Sequence, residues 1–461
     1  MNTKERLIII NIIDPKIQKL DPKNIFEIRR GPYFPLGVAT IGSYLKKNIP
    51  DLPLLILDDQ LVSIDGIKEK IKKFKPTIVA IGSVFTSYEK SLILAREAKK
   101  AGAKVVMGGH YPSSIPEVIL NNRGPKSKDH CVDVIICGSG EKALCQYIVG
   151  KKISEISNIV YCKKNSVIKN EVKMTPLSKI IVDKKLIDPT IYFKEYHRSF
   201  PNAKYKNPFI IYSQKGCAWR TNADKHCLFC SLMHDQYILK NPKTVWSEIN
   251  NLVTDYGVDY IWETSDDLPA NKDWFNQFYK ESKKYKDKPS LKVQSRVNHL
   301  TDEKTVKMLA NLKVYQLFVG IESNDDDCLK LMNKGTTSIM NEKAVNLLIK
   351  YEVPIKGYFI IGNKGETKQS LQKTVRLAEK IANASCDNLV IPSFLTPLPN
   401  SESFEEIKNN TARKYVNKDI IDWKEIIADW VKYNSKVSNQ DLLKTLRYLR
   451  SLSKNINAYS F

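Results

Sequence analysis

The chain has no apolar run of about 18 residues, the length a membrane-spanning helix requires, so no such helix is expected. Its first residues, MNTKERLIIINII, hold a short apolar run with no small-residue cleavage site behind it. They read as a first buried strand, not as a secretory signal. Arginine is scarce: it supplies 12 of the 73 basic residues, and the lysines are spread along the whole length. Clustering of basic charge, rather than its total, marks a phosphate-binding surface. The formal charge of +23 therefore reads first as a lysine-rich solvated surface, and only second as a sign of an acidic or nucleic-acid partner. No internal repeat or low-complexity tract is evident. The nine cysteines are odd in number. Without a secretory signal a reducing, cytoplasmic setting is expected, where disulfides are rare.

What is present is a globular composition, 42% hydrophobic and 27% charged, in a chain of 461 residues, enough for two or three cores. Residues 1–150 alternate short apolar stretches (LIIINII, LPLLILD, TIVAIGS, KVVMGG, VDVIICG) with helical ones such as SIDGIKEKIKKF and SYEKSLILAREAKKAG. That alternation predicts a doubly wound parallel sheet, an α/β fold with its ligand beyond the carboxyl ends of the strands. Those ends carry Gly82-Ser83, Gly108-Gly109 and Gly138-Ser139-Gly140-Glu141. Three glycine turns at successive strand ends read as a binding edge, where a cofactor approaches the backbone closely. Residues 151–207 contain a hairpin-like NIVYCKKNSVIKNEVK and then a proline-containing linker.

Residues 208–400 repeat the strand–helix alternation six times, through FIIYSQ, VDYIWETS, LKVQSRV, YQLFVGIES, IKGYFIIG and NLVIPSFLTP. Six right-handed units predict a partial barrel, open on one side, with its chemistry at the carboxyl ends of the strands. Residues 401–461 read as amphipathic helices that either cap the barrel's pocket or pack on its outside.

Three of the nine cysteines crowd together. Directly after the first strand of the second series the chain reads QKGCAWRTNADKHCLFCSLMHD, placing Cys217, Cys227 and Cys230 in a C-x9-C-x2-C spacing. Thiolates are soft ligands suited to iron–sulfur clusters or to zinc. A zinc site would draw its fourth ligand from His226 or His234. The position at the mouth of a barrel, with Gly216 and Phe229 flanking, favours a [4Fe-4S] cluster. Cys328 and Cys386 read as small core residues. Asp266 and Asp267, at the end of the second strand, read either as ligand contacts or as the cap of the next helix.

These motifs resemble the cobalamin-binding-domain radical S-adenosylmethionine (SAM) superfamily over roughly residues 30–400. The likeness is carried by the cysteines with Cys227-Leu-Phe-Cys230, SRVNHLTDEKTVKML, GIES with CLKLMNKGTT, and GYFIIGNKGET. In the first domain GPYFPLGVATIGSYL, VVMGGHYPSSIPE and VDVIICGSGEKAL carry it. The family usually spaces its first two cysteines by three residues; the gap of nine resembles the catalytic subunit of Elongator. The resemblance implies that Cys217, Cys227 and Cys230 hold the cluster and that its open iron binds SAM, whose reductive cleavage gives a 5′-deoxyadenosyl radical. It implies SAM contacts from Phe229, Ser295, Arg296, Gly320 and Glu322. It implies cobalamin contacts from Ser83, Gly108, Gly109, His110, Gly138, Gly140 and Glu141. The chain departs from the family's Asp-x-His-x-x-Gly motif: LDDQLVS has no histidine to ligate cobalt, as in many radical SAM members.

The function so implied is methyl transfer to an unactivated carbon of a small-molecule or natural-product substrate, with flavodoxin or ferredoxin as electron donor. Radical rearrangement or ring contraction with the same cofactors is the alternative. So is a cobalamin-independent RNA-modifying radical enzyme, motivated by the charge and the cysteine spacing.

Overall fold

A computed structural model describes residues 4–13, 32–164, 166–176, 182–221, 226–232 and 236–453. The stretch Leu7–Asn11 (β1) is buried along almost its whole length, as a strand covered by helices on both faces must be. Around it lie β2 (Leu54–Asp58), β3 (Ile78–Gly82), β4 (Lys104–Gly108) and β5 (Val134–Ile136), all parallel. A hairpin of β6 (Ile159–Lys163) and β7 (Ser166–Lys169) adds two antiparallel strands at the far edge. The order is β2-β1-β3-β4-β5-β6-β7. The direction of winding reverses between β1 and β3, and their carboxyl ends open a crevice there.

The linker is tied to this sheet. Tyr192, on the helix Pro189–Ser199, donates its hydroxyl to Asp58 at 2.8 Å, where Asn11 and Gln60 also bond. Asp58 of the LDDQ stretch is thus a buried structural anchor.

The second sheet contains β8 (Pro208–Ile211), β11 (Tyr260–Glu263), β12 (Ser290–Arg296), β13 (Val314–Glu322), β14 (Ile355–Ile361) and β15 (Leu389–Phe394), parallel and in sequential order. A two-residue ribbon, β9 (Gln214–Lys215) with β10 (Ile238–Leu239), brackets the cysteine segment. Six parallel strands with outer helices make the expected partial barrel. Alternate residues, such as Val293, Leu317, Val319, Phe359 and Ile361, bury their side chains in the core shared with those helices.

The C-terminal helices pack on the barrel. Trp430, on the helix Trp423–Asn434, donates its indole N–H to the carbonyl of Gly362 at 2.9 Å. The last helix, Asn439–Ser451, lies along β15, and Ser453 bonds Val390 there. Among the described residues none beyond 400 lines the cavity between the two domains, while Glu402 and Ser403 touch the cysteine segment at His226 and Leu228. Asp419 reaches back to the first domain, accepting from Tyr88, Asn122 and Arg123. Cys328 is buried as expected, but Cys386 is exposed: it lies in the turn before β15 rather than in the core.

Candidate cluster and cofactor site

The cysteine segment starts from a glycine that no other residue replaces easily. Gly216 has φ +85°, and a Cβ there would lie 2.0 Å from the carbonyl oxygen of Gln236. The turn therefore presses against the chain leading into β10 and fixes where Cys217 emerges. Cys217 opens a short 3-10 turn, with the N–H of Arg220 bonding its carbonyl at 3.0 Å. Cys227 and Cys230 share one tight turn, the N–H of Cys230 bonding the Cys227 carbonyl at 2.9 Å. Arg220 bonds the Cys230 carbonyl at 3.3 Å, bringing the two ends of the segment together.

Burial raises the Cys217 thiol, and backbone N–H groups of Trp219 and Arg220 with the nearby Arg296 guanidinium work against that rise. Burial likewise raises Cys230, countered by the N–H of Leu232 and by Arg220. N–H groups and guanidinium charge around thiolates are what an anionic iron–sulfur cluster needs, so the donor set fits one. Among the described residues no three His, Cys, Asp or Glu side chains close on a single metal ion. His226 is engaged by Glu402 at 2.6 Å, and His234 lies outside the described residues.

Arg296 joins the cysteines to the strand ends. Its guanidinium is 3.6 Å from Cys227 Sγ, stacks 4.7 Å from the Trp219 ring, and bonds the Lys334 carbonyl. Its backbone N–H donates to Asp267 at 3.1 Å. Asp267 also lies 3.4 Å from Ser295 Oγ and 3.1 Å from His299 Nε2. Asp267 is therefore a buried tie between β11 and β12, and Asn271, not either aspartate, caps the next helix.

Glu322 ends β13 with φ +63° and pairs through Oε1 with Lys334 Nζ at 2.8 Å; both side chains are buried. Gly320 faces that pair, and the Lys334 ammonium stands 5.7 Å from the Phe229 ring. Phe229 itself packs on Cys328, Leu329 and Met332. The structure thus brings Phe229, Ser295, Arg296, Gly320 and Glu322 around the cysteine segment. Lys334 and Trp219 are members that the sequence reading missed. The run NKGTT was noted only as a motif, and nothing in it marks Lys334 as the partner of Glu322.

The glycine edge of the first domain faces this mouth across a cavity of about 580 Å³. Ser83, Gly108, Gly109, His110, Gly138, Gly140 and Glu141 line it from one side. Tyr212, Gln214, Lys215, Gly216, Thr264 and Asp266 line it from the barrel side. Gly109 has φ +100°, and a Cβ there would meet the Ser83 backbone at 2.3 Å, so two strand ends touch without side chains between them. Asp266 opens onto the cavity; burial raises its carboxyl and His110 opposite draws it down. Glu141 Oε2 and the Tyr212 hydroxyl are buried without hydrogen-bond partners beside this cavity. The bare glycine edge, set among largely apolar side chains such as Leu36, Val38 and Ile41, fits the broad face of a ring cofactor such as cobalamin.

Two family models match the chain. Residues 25–148 match the B12 binding domain and residues 211–378 match the radical SAM superfamily. The anaerobic magnesium-protoporphyrin IX monomethyl ester cyclase of Cereibacter sphaeroides is 25% identical over 398 residues, 82% of this chain and 61% of the cyclase. The chain thus spans about three fifths of that relative's length. An uncharacterised methyltransferase of Pyrococcus horikoshii is 26% identical over 360 residues, 75% of this chain and 73% of that protein. In structure, the radical SAM methyltransferase TsrM of Kitasatospora setae superposes with a TM-score of 0.71 at 15% identity, covering 96% of this chain and 89% of TsrM. That likeness establishes the shared fold. A radical SAM domain implies a [4Fe-4S] cluster and SAM, and a B12 binding domain implies cobalamin. The chain thus carries a B12 binding domain followed by a radical SAM domain.

Proposed function

We propose that the protein is a cobalamin-dependent radical SAM enzyme that transfers a methyl group to an unactivated carbon of a small molecule. One observation carries this reading: a single cavity has the glycine edge of the B12 binding domain on one side and the mouth of the cysteine-bearing barrel on the other. The methyltransferase of Pyrococcus horikoshii and the bacteriochlorophyllide d methyltransferase of Chlorobaculum tepidum, 32% identical over 120 residues, support the choice of methyl transfer.

When bound, the cluster and SAM supply a radical and the corrinoid supplies a methyl group; the protein orients them and excludes side reactions. Cys217, Cys227 and Cys230 hold the cluster, with Arg296 beside Cys227 offsetting thiolate charge. Glu322 and its buried partner Lys334 would meet the polar amino and carboxylate end of SAM. Ser83, Gly108, Gly109, Gly138 and Gly140 give the corrinoid a bare backbone edge. Asp266, open to the cavity opposite His110, is the polar group best placed to meet substrate. An external one-electron donor such as a flavodoxin or ferredoxin completes the cycle.

The protein, loaded anaerobically with cluster and cobalamin, reduced, and given SAM, is expected to form S-adenosylhomocysteine and 5′-deoxyadenosine. Formation of neither, by a protein with full cluster content, contradicts the proposal. 5′-Deoxyadenosine without S-adenosylhomocysteine points instead to rearrangement or ring contraction.

A further inference from the structure

Histidine is scarce in this chain, and four of its six histidines are held by partners. His130 bonds Asp133 at 3.0 Å, and His197 meets the Lys206 carbonyl at 2.5 Å. His226 pairs with Glu402 at 2.6 Å, and His299 with Asp267 at 3.1 Å. His234 lies outside the described residues. His110 stands apart. It is exposed, it lines the cavity between the domains, and among the described residues no hydrogen bond holds its ring.

The fold sets that ring beside bare backbone. His110 directly follows Gly108-Gly109 at the carboxyl end of β4. On one side of β4, β3 ends in Gly82; on the other, β5 runs on to Gly138 and Gly140. All of these glycines line the same cavity, and among the described lining residues His110 is the only histidine and there is no cysteine. The ring faces inward: burial raises the Asp266 carboxyl on the barrel wall, and His110 draws it down. A glycine floor admits a flat ring face to face, and an imidazole beside that floor is placed to reach a metal at the ring's centre. Neutral imidazole is a common ligand of transition metals.

Resting on the cobalamin reading above, we propose that His110 supplies an axial nitrogen to the cobalt of the bound corrinoid. The bond forms from the lone pair of the neutral ring and leaves the oxidation state of cobalt unchanged. Water, or the corrinoid's own base, is displaced from that face. The first domain then grips the corrinoid through its metal as well as along the glycine edge.

The test uses the full chain with its cluster complete and oxidised, hence diamagnetic. It is loaded without oxygen with cobinamide, a corrinoid that lacks the nucleotide base, and the cobalt(II) form is read by electron paramagnetic resonance. One axial nitrogen splits each cobalt line into a triplet. Triplets are expected in the wild type, and their complete loss in His110→Ala. Wild-type protein labelled throughout with the heavy nitrogen isotope should turn the triplets into doublets, which assigns the nitrogen to the chain without recourse to a variant. Unsplit lines from the wild type, triplets indifferent to the label, or triplets that survive in loaded His110→Ala overturn the ligation. If the wild type takes up neither cobinamide nor cobalamin although its cluster is complete, the cobalamin reading falls and the ligation with it.

Discussion

Arg296 shows how much one side chain holds at this site. It touches Cys227, Trp219 and Lys334 from a single strand end, and its planar fork allows those contacts at once. Arg296→Lys keeps the charge and loses the fork. It is expected to fold with wild-type circular dichroism and yet hold less than half the wild-type iron after reconstitution; full iron content would contradict the role. Glu322 and Lys334 form a pair with side-chain exposures of 8% and 6%. Removing one partner of such a pair leaves a buried charge uncompensated and costs about 3 kcal/mol or more. Glu322→Leu should therefore lower the denaturation midpoint of the cluster-free protein markedly. The double variant with Lys334→Met should recover part of the loss, and equal losses in both would argue against the pairing. The SAM contacts expected from sequence fall in this neighbourhood because a motif records which residues follow which strand. Lys334 and Trp219 were missed because their contacts depend on how two loops, separated by over a hundred residues, meet.

Among the elements, the loop after β14 carries its own titration. Glu366 is fully buried and accepts from the backbone N–H groups of Gly362 and Asn363. Burial outweighs those bonds and raises its carboxyl to about 7. In the unfolded chain it titrates near its ordinary 4.5. The folded state therefore binds more protons between these values, so this group's contribution is fullest below about pH 4.5 and is lost as pH rises through about 7. Glu366→Gln keeps an acceptor and removes the charge. It should match the wild type near pH 5 and exceed it in unfolding free energy by about 2–3 kcal/mol at pH 8. Equal pH slopes for both proteins would contradict this. The strands themselves were legible in the sequence: LIIINII, LPLLILD and YQLFVGIES each appear where their apolar runs place them. Buried strands announce themselves by composition. What hid was the pairing of distant elements, such as Asp267 tying β11 to β12, since an aspartate after a strand reads equally as a cap. Cys386 misled for a related reason: a small apolar side chain carries no sign of whether its turn faces in or out.

Across the whole molecule, the C-terminal region holds the first domain to the barrel. Asp419 is buried; burial disfavours its charge, but bonds from Arg123, Asn122 and Tyr88 more than offset this and leave its carboxyl below the ordinary range. The Tyr111 hydroxyl bonds the Asp419 carbonyl at 2.9 Å, and Trp423 packs against Tyr111 and Phe85. Asp419→Ala leaves Arg123 paired with Asp129 alone and takes the acceptor from Tyr88 and Asn122, which should cost about 1–3 kcal/mol. It should also split a single thermal transition into two, one for each domain, seen by calorimetry. One cooperative transition at an unchanged midpoint would contradict the clasp. The same union of domains builds the cavity, and the account rests on that cavity holding a corrinoid beside a cluster. The most direct measurement is the content of iron, sulfide and corrinoid per chain, after expression with cobalamin supplied and purification without oxygen. The account predicts about four irons, a matching amount of sulfide and one tightly held corrinoid, with iron falling to roughly none in Cys227→Ala. Zinc near one equivalent without iron, or four irons with no corrinoid even after reconstitution, would contradict it.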